Sequence, residues 1–225
     1  MRALYLCVGF GLVFGSVKLS SALTDYALHF PTKGVSGYVD IWGMPSLTQF
    51  TVCLWMKKNG TSSYSRMFFY DSYGAPGQRT VISIGYNIWG FPGLEIGKSG
   101  IGGWRIQLVD GKWHHLCLSW ENIRGHLKIY KDGTLSGQSS AFQGGAVIKS
   151  GGSLTLAKLI GRNGFDGMLT NVNVWDHVLS PAEIEKMSKS CLSGEGNVYK
   201  WSDFIHGLKG ETRVVIPSPC KPMAS

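Results

Sequence analysis

The residues able to do chemistry are few and widely spread. Asp110, His115 and Ser119 are the types a hydrolase combines as orienting acid, base and nucleophile. Their spacing argues against it. His115 and Ser119 share one strand-like segment, which at roughly 3.3 Å per residue puts their backbones about 13 Å apart. A nucleophile and its base need contact at about 3 Å. Glycoside cleavage would need two clustered carboxylates. No E-x-D-x-E-like run exists, and Glu95 and Asp110 stand alone in apolar or Gly-rich surroundings. The histidines are His29, His114, His115, His126, His177 and His206. Neighbouring His114 and His115 point to opposite faces of their strand and cannot chelate one ion. Cys53, Cys117, Cys191 and Cys220 form no C-x-x-C pair, so neither a zinc site nor a redox motif is indicated. The expectation is a binding protein with no catalytic residues and no metal ligands.

Binding chemistry has better material. The tryptophans are Trp42, Trp55, Trp89, Trp104, Trp113, Trp120, Trp175 and Trp201. Most lie in strand patterns, where a large ring fills a core. Trp89 and Trp104 lie in Gly-rich loops and are the candidates for exposed ligand-binding aromatics. Lys and Arg number 22 against 14 Asp and Glu, a net charge of +8. Removing Arg2 and Lys18 with a leader would leave about +6. That excess favours anionic partners such as glycosaminoglycans or phospholipid surfaces. The basic residues are scattered and do not interleave with aromatics, so nucleic-acid binding has no support.

The elements that position these residues are mainly strands. Phe50 to Met56 alternates cleanly: Phe50, Val52, Leu54 and Met56 share one face, and Thr51, Cys53 and Trp55 the other. Further strands are expected at Arg66 to Tyr70, Thr80 to Tyr86, Trp113 to Trp120, Leu127 to Lys131, Ser153 to Ala157 and Met168 to Trp175. Asp132-Gly133 is a strong hairpin signal. Ser180, Pro181 and Glu183 form a capping-box pattern that starts one helix, with Ile184 and Met187 on its inner face. After Gly194 the pattern is irregular or of short strands.

Met1-Arg2 followed by the apolar run Ala3 to Val17 and the small residues Ser20, Ser21 and Ala22 predicts a signal peptide over 1–22. The run is about 15 residues, short of the roughly 20 a spanning helix needs. No other segment reaches that length, so no membrane span is expected. The remainder, 23–225, reads as one secreted, extracellular domain. Secretion agrees with four cysteines held in two disulfides, for which three pairings are open. Asn59-Gly60-Thr61 is an N-glycosylation sequon in a polar stretch, which makes Asn59 a candidate glycosylation site.

Two stretches carry a family resemblance. His115-Leu116-Cys117-Leu118-Ser119-Trp120 resembles the pentraxin signature H-x-C-x-[S/T]-W-x-[S/T], departing at Asn122. Asn171-Val172-Asn173-Val174-Trp175-Asp176 through Ile184 resembles that family's last inner strand and the start of its helix. Phe50 to Leu54 matches the strand with the partner cysteine. The similarity runs from about Leu28 to the Trp201 region. The pattern around Trp113 to His115 and Lys128 to Gly133 is shared with laminin-G-like sandwiches.

The resemblance implies an all-β, two-sheet antiparallel jelly-roll sandwich of the concanavalin-like type with one short α-helix. It implies a Cys53–Cys117 bond, which leaves Cys191 with Cys220. That second bridge is closer to the pentraxin-like modules of adhesion receptors than to the short plasma pentraxins. The function implied is innate-immune recognition of glycan, phospholipid or protein ligands by a homo-oligomer. The competing reading is an adhesion module that binds a protein or glycosaminoglycan partner without calcium. Calcium is the family's cofactor, yet its ligand motifs are not matched. Gln78-Arg79 stands where an Asp-Asn pair belongs. Between Thr134 and Thr170 the single acidic residue is Asp166, in a stretch that also holds Lys158, Arg162 and Asn163. Calcium wants six to eight oxygen ligands, several of them carboxylates. Weak or absent calcium binding is expected.

Overall fold

A computed structural model describes residues 24–31, 37–58, 64–72, 81–87, 89–158 and 164–222. The expected leader, the Asn59 sequon and the loop residues Gln78, Arg79, Arg162 and Asn163 lie outside the described residues.

Two seven-stranded antiparallel sheets face one another. The back sheet contains β1 (Ala27–Phe30), β3 (Gln49–Lys57), β8 (Trp113–Glu121), β9 (Leu127–Lys131), β10 (Thr134–Ser139), β12 (Gly167–Trp175) and β14 (Arg213–Val215). Its order is β10-β9-β8-β3-β12-β1-β14. The front sheet contains β2 (Gly37–Trp42), β4 (Ser65–Asp71), β5 (Val81–Tyr86), β6 (Pro92–Ile96), β7 (Ser99–Gly102), β11 (Ser153–Leu156) and β13 (Leu208–Gly210). There the order is β13-β2-β11-β4-β5-β6-β7. This is the expected jelly-roll sandwich.

Alternation decides which side chains meet between the sheets. Phe50, Val52, Leu54 and Met56 of β3 join Leu116, Leu118 and Trp120 of β8 in the core, against Phe68, Tyr70, Ile82, Ile84, Leu154 and Leu156 of the front sheet. Burying side chains of this size contributes about 1.5–3 kcal/mol each relative to exposure. Asp132 and Gly133 turn the β9–β10 hairpin at φ 50° and 84°, backbone values that suit these two residues.

The outer face of the back sheet is covered. Helix α1 (Pro181–Met187) starts with the capping box: Ser180 Oγ accepts from the Glu183 N–H at 3.3 Å, and Glu183 Oε2 accepts from the Ser180 N–H at 2.8 Å. Ile184 and Met187 pack on Cys53, Cys117 and Tyr130. Beside them, Cys191 and Cys220 cover Ala27, Trp55 and Trp113. Both expected disulfides are present, Cys53–Cys117 and Cys191–Cys220.

Strands β1, β2, β6, β7 and β10 are not singled out by the sequence pattern, and two further details differ. A second helix, α2 (Trp201–Phe204), follows Lys200. It is a single turn, too short to leave a 3.6-residue period, and it exists to insert Trp201 and Phe204 into the core. In β12 the pairing with β3 shifts between Thr170 and Asn173. Asn171, at φ 48°, is the extra residue of a bulge, so Leu169 and Val172 both still face the core.

Candidate functional site

The hydrolase-type residues are dispersed. Asp110 Oδ1 meets His114 Nε2 at 3.0 Å, not His115, and Asp132 Oδ2 holds the other ring nitrogen at 2.9 Å. Burial opposes ionisation of Asp110, but the Lys112 N–H and His114 outweigh it and hold the carboxyl below its ordinary range. His115 stacks near Trp55, with ring centroids 5.1 Å apart, and burial pushes its pKa down to about 4. It is neutral at physiological pH. His115 lies against Cys53 and Cys117, the one His/Cys/Asp/Glu cluster with metal-like spacing among the described residues, but both sulfurs are spent in the disulfide.

The arrangement best suited to binding lies on the outer face of the front sheet. Strand register sets Asp40, Thr155, Phe69, Ser83, Glu95 and Gly100 in one row across six strands. A second row runs Arg66, Gly85, Gly93, Gly102. A bulge between Arg66 and Phe68 keeps the arginine on the outer side. Arg66 Nε donates to Ser83 Oγ at 2.9 Å and its Nη2 to Glu95 Oε2 at 3.2 Å. The Tyr64 hydroxyl donates to Glu95 Oε1 at 3.0 Å. The guanidinium also lies 5.6 Å from the ring centres of Tyr64 and Phe69. Burial, then the Glu95 charge, pushes the Tyr64 phenol up, so it remains a donor.

Beside this cluster is a cleft of about 170 Å³ floored by Gly85, Gly93, Gly100 and Gly102. Gly85 must be glycine, because a Cβ would lie 2.2 Å from the Ser65 carbonyl. Gly93, Gly100 and Gly102 have ordinary φ, and an added Cβ would meet nothing nearer than 3.2 Å. At Gly93 and Gly102 that nearest atom is a backbone carbonyl, so close packing favours glycine there, while Gly100 has room for a Cβ and leaves bare backbone open to a close approach. The cleft presents the Glu95 carboxylate and the Tyr64 phenol over the glycine strands, with the carboxylate held by Arg66. Both Glu95 oxygens accept hydrogen bonds, and the Ser83 hydroxyl, which also lines the cleft, is held by Arg66.

Trp89 is 65% exposed. Its turn is held by Asn87 Oδ1, which accepts from the N–H groups of Trp89 and Phe91 at 2.9 and 3.1 Å. Asn87 and Phe91 line the cleft, and Trp89 sits in the turn between them. Trp104 does not match its expected exposure. It is half-buried and lies on Gly137 of β10, where a Cβ would fall 2.6 Å from the indole. Trp42, expected in a core, is 59% exposed at the end of β2. Arg66, Tyr64 and Ser83 carried no signal strong enough to single them out, since their meeting depends on long-range register.

Asp166, the one acidic residue in the expected calcium stretch, bonds the buried Lys58 ammonium at 2.7 Å. Its Oδ1 is buried and makes no hydrogen bond among the described residues. Lys158 lies 5.0 Å from the Tyr38 ring centre. A lone carboxylate already holding an ammonium does not fit a calcium ligand set.

The family model described as the Concanavalin A-like lectin/glucanases superfamily matches residues 33–185. The chain belongs to this superfamily. Within it the domain is pentraxin-like. It is 31% identical over 202 residues to the rat (Rattus norvegicus) "Sushi, von Willebrand factor type A, EGF and pentraxin domain-containing protein 1", covering 85% of this chain and 6% of that protein. It is 32% identical over 169 residues to guinea pig (Cavia porcellus) neuronal pentraxin-2, covering 71% of this chain and 38% of that one. This pentraxin-like chain therefore spans only a part of the curated relatives it matches. The crystal structure of the native heptameric SAP-like pentraxin from Limulus polyphemus superposes with a TM-score of 0.70 at 21% identity, covering 86% of this chain and 94% of that one. No helix among the described residues is long and apolar enough to cross a membrane.

Proposed function

We propose that this pentraxin-like domain is a secreted, non-catalytic recognition protein that binds microbial, damaged-cell or matrix ligands through the front-sheet cleft. The observation that carries the reading is the Arg66–Glu95–Tyr64 cluster poised beside a glycine floor. Glu95 accepts from ligand hydroxyl or ammonium groups, and the exposed Trp89 ring supplies stacking area in the adjoining turn. Calcium plays little part, because Asp166 is committed to Lys58.

A glycan and phospholipid array, run in calcium and in chelator, tests this. Ligand signals are expected in both conditions, and Glu95→Gln should weaken them about tenfold by losing a charged acceptor. Signals that vanish in chelator, or that ignore Glu95→Gln, would sink the reading.

Cys191–Cys220 favours a second reading, an adhesion module that binds a protein or glycosaminoglycan partner. Under the first reading the protein forms a closed homo-oligomer. A monomer mass by light scattering across a wide concentration range would favour the second.

A further inference from the structure

The outer face of the back sheet carries a basic row that the front-sheet cleft does not use. Register places Arg213 of β14 opposite His29 of β1, His29 opposite Met168 of β12, and Met168 opposite Lys57 of β3. Alternation turns all four outward: Leu28 and Phe30 flank His29 and face the core, as does Met56 beside Lys57. Three strand steps at about 4.8 Å spread the row over roughly 14 Å. Arg213 is exposed, and His29 and Lys57 are half-buried.

None of the three makes an ion pair among the described residues. The carboxylates on neighbouring segments are engaged elsewhere: Asp166 by Lys58, Asp110 by His114, and Asp25 by the Ser218 N–H. Glu211, two residues before Arg213, pairs with none of them among the described residues. Basic groups directly opposite on neighbouring strands repel when both are charged. An unrelieved row of this kind is neutral-to-unfavourable for the fold by itself. It also borders a concave cavity of about 340 Å³ lined by His29, Lys57, Met168 and the Lys58–Asp166 pair, in which Asp166 offsets Lys58 and leaves Lys57 and His29 as the basic groups without an ion pair among the described residues.

We propose that Arg213, His29 and Lys57 form a docking site for a sulfated polysaccharide. The row is straight and carries its donors at intervals along one line, which suits a linear polyanion. The strap bearing Cys220 packs two residues further along the same strands, over Ala27 and Trp55. It stands on the same face, beside the row. The one apolar residue within the row, Met168, is half-buried and offers no wedge for a membrane.

The test uses the full mature protein and size-defined heparin oligosaccharides. The triple variant Lys57→Gln, His29→Gln, Arg213→Gln should bind at least about tenfold more weakly and elute from immobilised heparin at lower salt. Arg213→Gln alone, at an exposed sheet edge, should lose about threefold and guards against misfolding of the triple variant. A control that removes Lys186 and Lys189 at the end of α1 and Lys200 at the start of α2 takes away similar charge and should change affinity by less than about twofold. The triple variant should keep its array signals through Glu95, which separates this proposal from the front-sheet reading. Equal losses in control and triple variant would reduce the effect to net charge and overturn the proposal. So would unchanged heparin affinity, or tighter retention by phosphatidylserine vesicles than by heparin.

Discussion

Replacing Cys53 and Cys117 by alanine is expected to lower unfolding free energy by about 4 kcal/mol and the melting temperature by about 10 °C. The bridge closes a 64-residue loop, and restraining that loop in the unfolded chain supplies most of the effect in the chain-entropy account. The sulfurs join the two central strands of the back sheet and form the surface on which Ile184 and Met187 of α1 rest. The loss therefore includes packing under the helix. Removing Cys191 and Cys220, which close a 29-residue loop, should cost less, about 3.5 kcal/mol. Guanidinium unfolding of both double-alanine proteins measures the pair. A loss under about 1 kcal/mol for the first pair would show that the helix and strands hold without it.

Asn173→Leu is expected to destabilise by about 3 kcal/mol although it replaces a polar residue by an apolar one of similar size. Asn173 is 1% exposed. Its Oδ1 accepts from the N–H groups of Gly196 and Trp201 at 3.1 and 3.2 Å, and its Nδ2 donates to the Asn171 carbonyl at 3.1 Å. One side chain thus closes the β12 bulge and anchors the segment that delivers Trp201 to the core. Leucine leaves buried backbone groups without partners, each at a cost of about 1–3 kcal/mol. Asn173→Asp keeps the acceptor but sets a buried carboxylate oxygen against the Asn171 carbonyl and Oδ1, so it should cost at least as much. Thermal and chemical melts of the two variants decide the matter: equal, small losses would mean that water replaces the side chain.

Much of this architecture was legible in the residue order. The alternation in Phe50 to Met56 correctly assigned both faces of β3, and Ser180 to Glu183 placed the start of α1. Asp132-Gly133 marked its hairpin. These are local signals, each written within a few residues. The candidate site was far less legible. Arg66, Ser83 and Glu95 meet only because β4, β5 and β6 pair in one register with one bulge, and none of that is encoded in any single segment. Trp42 ends a strand that reads as core-filling, yet it lies where β2 leaves the sandwich. The hydrogen bonds of buried Asn173 reach Gly196 and Trp201, more than twenty positions away. The family resemblance supplied what spacing could not, which was the choice among three disulfide pairings.

The clasp between Cys191 and Cys220 also fixes how this domain would carry tension. β14 is an edge strand of three residues, paired with β1 alone, and by itself would peel off under a pull on the chain beyond it. A covalent bridge downstream of that strand changes the path of the force. Load applied past Cys220 enters the body at Cys191, beside Trp55 and Trp113 in the middle of the back sheet. The bypassed stretch, with α2, β13 and β14, stays slack. Breaking the clasp reductively would put that same stretch in series with the load, so the domain would unravel from its C-terminal edge at a much lower force.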